Sequence, residues 1–144
     1  MTGVQTCALP IYEYKIGNLK ILHPYIIETP SGAVVAGGYM KIVNTSNQFD
    51  RLNAVVVKFA ESSKIHEMKM ENDVMKMREV KGGLKIPVHG SVELKQGGYH
   101  IMFMNIIKSM TAGETYEGIL FFEKSGNIKV LFSVEEVGFK LKDN

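Results

Sequence analysis

Cysteine is nearly absent: Cys7 is the only one among 144 residues. A single thiol closes no disulfide within the chain and cannot supply the thiolate set of a structural zinc site. Tryptophan is missing altogether. So is an excess of charge of either sign. Lys and Arg number 17 against 15 for Asp and Glu, a net +2, which is too balanced for a nucleic-acid or anionic-membrane surface. No apolar run approaches the roughly 20 residues that span a bilayer, so membrane insertion is not expected. No stretch sustains a 3.6-residue hydrophobic period, which argues against amphipathic helices. No nucleophile elbow, P-loop or HExxH run is present, and the chain is not expected to be an enzyme.

The lone cysteine lies in Met1 to Ile11 (MTGVQTCALPI), a stretch with neither strand nor helix period. It has no basic n-region and no long apolar h-region, so it does not read as a secretory signal. It resembles the translation of sequencing-adapter read-through at the end of a truncated gene fragment. Residues 1–11 are therefore expected to be a non-native or disordered segment, residues 12–138 the folded domain, and residues 139–144 a polar tail. A leader lost by such a truncation would leave no trace, so this end says nothing about export. With the segment set aside no cysteine remains, and blue-copper and zinc-thiolate centres both need one.

What is present is β-pattern. Tyr14-Lys-Ile16 and Leu19-Lys-Ile21 alternate, and Gly37-Gly38 precedes the Tyr39 to Val43 run. Leu52 to Phe59 is Val-rich. Ile65 to Met70 and Val74 to Val80 flank Glu71-Asn72-Asp73, and Tyr116 to Glu123 and Ile128 to Val134 flank Ser125-Gly126-Asn127. Both spacers are hairpin signals. Nine or ten short strands with regular turn marks predict a single all-β domain, a Greek-key barrel or sandwich. The length suffices for a real core.

Two clusters stand out against this background. His66-Glu-Met68-Lys-Met70, with Met75-Lys-Met77 just after it, and His100-Ile-Met102-Phe-Met104 hold two of the four histidines and six of the nine methionines. Within each run the donors sit two apart, so a strand presents them on one face. Imidazole and thioether together suit Cu(I) far better than Mg, Ca or Mn. A two-residue loop at Asn72-Asp73 would set Met70 against Met75, Met68 against Met77, and His66 diagonal to Met77, within reach of long side chains, whereas a three-residue loop would shift the register and lose this pairing. A His100 strand beside this hairpin would complete a two-His, two-Met cage. Met stripes at period two are also ordinary buried faces, and the pattern alone leaves both readings open. Met40 and Met110 read as core, His23 as structural or surface, His89 as a solvated turn residue, and Arg78 and Glu79 as an exposed edge.

From Glu13 to Val137 the chain resembles the PCu(A)C family of periplasmic copper chaperones. The resemblance rests on His23-Pro24-Tyr25, Gly37-Gly38-Tyr39, Ile65-His66-Glu67-Met68, Val74-Met75-Lys76-Met77-Arg78, Gly97 through Met104, and the closing Val130 to Val134 strand. The family's copper motif is His, ten residues, Met, about twenty-one residues, then His-x-Met. Here ten residues separate His66 from Met77, and His100-Ile-Met102 follows after twenty-two. The extra residue falls in a stretch crossing Gly82-Gly83 and His89-Gly90. The resemblance implies a cupredoxin-like β-barrel, with His66, Met77, His100 and Met102 as ligands to one Cu(I). Met68, Met75 and Met104 are candidate supports or substitute ligands beside these positions, with core or rim packing as the other reading of Met68 and Met104. It further implies a periplasmic or extracytoplasmic location and delivery to an acceptor such as the dinuclear copper centre in cytochrome c oxidase subunit II or another copper-assembly protein. Tyr25 stands where the family often has Trp, a change expected to affect packing only. Some family members carry a His- and Met-rich extension for a second copper, and nothing like it follows Val137.

Copper delivery by ligand exchange leads the functional readings, because neutral imidazoles and thioethers hold the ion without an anionic thiolate. Sequestration without a dedicated acceptor would use the same residues. A metal-free β-sandwich binding module is the alternative from a different class.

Overall fold

The computed structural model describes residues 13–139. The expected foreign segment, residues 1–11, and the tail beyond Phe139 lie outside the described residues. Within them the chain is all-β, with eleven strands and no helix. These are β1 (Glu13–Ile16), β2 (Leu19–Ile27), β3 (Val35–Asn44), β4 (Asp50–Val57), β5 (Ala60–Glu71), β6 (Val74–Glu79), β7 (Leu84–Ile86), β8 (Ser91–Leu94), β9 (His100–Ile106), β10 (Thr115–Phe122) and β11 (Gly126–Glu135).

One hydrogen-bonded path runs β6-β5-β9-β3-β2-β11-β10-β4-β7, with β1 added beside β2 and β8 beside β3. β2 and β11 pair in parallel. The neighbours β5–β9, β3–β9 and β4–β10 are far apart in sequence, the connectivity of a Greek key. The path stays open at β6 and β7 but folds over on itself. Phe59 between β4 and β5 meets Phe103 of β9 at 4.9 Å, and Phe103 meets Phe132 of β11 at 5.7 Å. The Ser63 hydroxyl donates to the Val55 carbonyl where β5 crosses β4. Ile65 and Ile101 thus pack into the same core as Leu52, Leu120 and Val130. Phe103 and Phe132 are fully enclosed, each worth roughly 1.5–3 kcal/mol of burial.

Three local features depart from the run-by-run sequence reading. Gly37-Gly38 does not end a strand but lies inside β3. A Cβ on Gly38 would sit 2.7 Å from the Phe103 ring, and one on Gly37 would sit 2.6 Å from the Tyr39 hydroxyl. Glycine here makes room for aromatic groups rather than for a turn. His23-Pro24 lies within β2, at a shift in register between Leu22 and Tyr25. Proline has no N–H to give the ladder, and a bulge is where a strand tolerates it. His23 takes φ +43° there, and its buried ring is held by Glu135 Oε2 at 3.0 Å. Phe139, grouped with the tail by sequence, packs its ring 4.8 Å from that of Tyr25. Met40 and Met110 are core as expected, at 0% and 1% exposure.

Candidate metal centre

The β5–β6 hairpin turns on Asn72-Asp73, both at positive φ (49° and 63°). That is the backbone of a type I′ turn, whose twist matches the strands it joins. A two-residue loop sets the register without ambiguity. Met70 lies opposite Met75, Met68 opposite Met77, and His66 opposite Glu79. On the other side of β5 the ladder with β9 places His66 opposite His100 and Lys64 opposite Met102. Side chains alternate along each strand. Ile65 and Ile101 therefore turn into the core, while His66, Met68, Met77, His100 and Met102 share the outer face.

The two imidazoles are neighbours, with ring centroids 5.7 Å apart and planes at 77°. His100 is buried at 5% exposure. Its Nδ1 lies 3.2 Å from the Gly98 carbonyl. A carbonyl only accepts, so Nδ1 carries the proton and Nε2 keeps its lone pair. Gly98 also accepts from the Met68 amide at 3.2 Å, tying the β8–β9 loop to both donor strands. Fixing one imidazole nitrogen this way orients the other toward a metal. His100 Nε2 and His66 Nδ1 are both buried with no hydrogen-bond partner. Buried polar atoms without partners are rare and costly. Two of them lie on the facing histidines His66 and His100. Burial, and then the nearby His100, lower the His66 pKa from its ordinary value, so that ring is neutral and available at pH 7.

Met68, Met77, His100 and Met102 line one open depression of about 380 Å³, closed on its other side by Tyr39 and the Gln96-Gly97 loop. His66 stands beside it, reached through His100. Met77 is 47% exposed, whereas Met68 and Met102 are half-buried. Met104 lies one rung further along β9, opposite Ser62 and Val35. Met75 lies one rung toward the hairpin tip. Neither of these two lines the depression. Among the described residues no group of three His, Cys, Asp or Glu is placed to hold a metal ion.

Sequence reasoning missed Tyr39 and Gly37 as parts of this wall. Gly37 faces Met102 across the β3–β9 ladder, and its missing side chain leaves space that the Tyr39 hydroxyl approaches. Burial raises the Tyr39 pKa, so it remains a neutral phenol. The signal was legible as a Gly-Gly-Tyr run, but only the ladder shows what the glycine faces. Next to it, Tyr25 is pushed up to about 12, first by burial and then by Tyr39.

The folded-over sheet and the imidazole–thioether face define a class, a cupredoxin-like β-domain built as PCuAC domains are. The copper-bound PCuAC domain from PmoF2 is similar with a TM-score of 0.74 and 28% identity, over 88% of this chain and 99% of that one. The apo PCuAC domain from PmoF1 gives 0.74 and 26%, over 87% and 99%. The chain belongs to the LpqE-like family, described as "Putative lipoprotein LpqE-like", whose model matches residues 19–134. "Putative lipoprotein Lxx21020" of Leifsonia xyli subsp. xyli is 29% identical over 119 residues, 83% of this chain and 70% of that protein.

Proposed function

We propose that this protein is an extracytoplasmic copper chaperone. It binds one Cu(I) through His66, Met77, His100 and Met102 and passes it to an acceptor by ligand exchange. The observation that carries the reading is the pair of buried, unpartnered imidazole nitrogens on facing histidines, next to a depression lined by three thioethers. Soft neutral donors select Cu(I) over hard cations, and the exposed Met77 leaves the ion reachable. The likeness to a copper-bound PCuAC domain and the lipoprotein description of the family support the cargo and the location. The acceptor in this reading is the dinuclear copper centre of cytochrome c oxidase subunit II or another copper-assembly protein.

The test is anaerobic Cu(I) titration followed by X-ray absorption. The expected result is one tightly held ion with two nitrogen and two sulfur neighbours. Zn(II) displacing Cu(I) at equal concentration, or a copper shell without nitrogen, overturns the assignment. Metal transfer to an apo subunit II domain tests delivery.

A further inference from the structure

Beyond His66 the β5–β6 hairpin leaves the sheet. The β5–β9 ladder ends at His66–His100, with one further bond from the Met68 amide to Gly98. The last rungs pair only with each other. This free ribbon has two unlike faces. One carries the rungs Glu67–Arg78 and Lys69–Lys76, with an ion pair of 3.6 Å across the first. The other carries nothing but sulfur, in the rungs Met68–Met77 and Met70–Met75. Met70 is 59% exposed and Met75 48%. Water on both sides of a ribbon usually draws polar residues to both faces. Met68 is half-buried against the depression, but Met70 and Met75 at the tip gain little from burial, so packing does not account for them.

Their spacing suits a soft ion. Directly opposed side chains in an antiparallel pair have Cβ atoms about 4.5–5.5 Å apart, and rungs on one face lie about 7 Å apart along the strand. Two flexible thioethers across a rung can pinch one ion, and Met77 stands between the tip rung and the histidines. We propose that Met70 and Met75 form a second, thioether-only Cu(I) site at the hairpin tip. It is a loading station from which the ion passes to Met77 and Met68 and then to the histidine site. This rests on the copper reading of the adjoining face. Each move is an exchange of neutral ligands, one Cu–S bond forming as another breaks. The ion stays Cu(I), so no electron or proton is transferred. Two exposed thioethers without imidazole hold the ion weakly, as a station must.

The experiment is NMR of the protein labelled with ¹³C at the methionine ε-methyls, titrated with Cu(I) and, as a redox-inert substitute, Ag(I). The first equivalent is expected to move the Met102 and Met77 methyls in slow exchange. Further metal is expected to move Met70 and Met75 together, in fast exchange. The variant M70L/M75L keeps the shape of two exposed apolar side chains. It should lose the second bound Ag(I), two per chain falling to one by competition titration. If the Met102 and Met77 methyls shift and Met70 and Met75 stay still at every ratio, the tip site is overturned and the histidine site stands. If Met102 and Met77 do not respond to the first equivalent, the copper reading itself fails. Retention of two bound Ag(I) by M70L/M75L also overturns the tip site.

Discussion

At the scale of single residues, His100 is the most constrained of the proposed ligands. Its ring is buried, one nitrogen is held by Gly98, and the other is buried without a partner. H100A is expected to weaken Cu(I) binding at least tenfold, about 1.4 kcal/mol, with the far-ultraviolet dichroism of the sheet retained. A chelator-competition titration reads this directly. His66 sets the pH response. Its folded-state pKa lies below the ordinary imidazole value, through burial first and the His100 charge second. The folded apo-protein therefore resists protonation there. The stability this contributes is complete above the unfolded value of about 6.5 and is lost as pH falls through the lowered folded pKa. Metal competes with the proton for the same nitrogen, so Cu(I) affinity should be flat near neutrality and fall on the acid side of that range. An H66A variant whose affinity falls with acid in the same way as wild type would remove His66 from the ligand set. Gly38 is as demanding as any side chain. G38A places a Cβ 2.7 Å from the buried Phe103 ring, an overpacking expected to cost about 1–3 kcal/mol in urea denaturation.

At the scale of elements, the β10–β11 hairpin is anchored from outside itself. Asp50 opens β4, and its carboxylate accepts from the amides of Arg51, Lys124 and Ser125 and from the Ser125 hydroxyl at 2.6 Å. Burial alone would raise its pKa. The four hydrogen bonds, led by the Ser125 hydroxyl, together pull it below the ordinary carboxylate value. Its contribution is therefore present above the unfolded pKa of about 3.9 and is lost as pH falls through the folded one. D50N keeps the shape but gives up charge-assisted bonds, and a loss of about 1.5–3 kcal/mol is expected at neutral pH. The difference from wild type should shrink as pH falls below the unfolded value and through the lowered folded one. A deficit independent of pH would mean that the charge is not what holds the turn. Asp50 lines a different depression from the one at the donor face, with no residue in common, so copper binding should be unchanged in D50N.

At the scale of the whole molecule, a single core carries both halves of the folded sheet. Phe103 touches Phe59 and Phe132 at once and lies on the strand that presents His100 and Met102 from its other face. F103A is expected to cost about 3–5 kcal/mol and to loosen the donor face with the core, lowering metal affinity although no ligand is touched. A variant that lost stability but kept full affinity would show that β9 is positioned by its ladders alone. Residues 1–11 fit no strand pattern in the sequence. Their deletion is expected to leave the melting temperature and copper binding unchanged, by thermal unfolding with and without metal. The fold also carries a liability. β6 ends the hydrogen-bonded path with six exposed residues, an unpaired edge of the kind that invites another strand.

By itself the sequence determined the period of the chain and hence much of the site. Alternation at period two specifies strands, and the donors of each run, His66 with Met68 and Met70, Met75 with Met77, and His100 with Met102 and Met104, then share a face of their own strand. The Asn72-Asp73 pair, permissive of positive φ, suits a two-residue turn, but a three-residue loop fitted the sequence as well, and the structure settled the rungs Met68–Met77 and Met70–Met75. These are local consequences of backbone geometry and need no distant contact. Which strand lies beside β5 was decided only by the tertiary structure. The β5–β9 pairing joins residues more than thirty positions apart in sequence, and many orders of strands would satisfy the same alternation. The pairing sets His66 against His100 and leaves two imidazole nitrogens buried without partners. It also gives meaning to glycines that look like turn signals. Gly37 and Gly38 sit in mid-strand because a phenol and a phenyl ring occupy the space their side chains would take. Local propensity cannot register a neighbour contributed by a remote part of the chain, whereas packing in the folded core does.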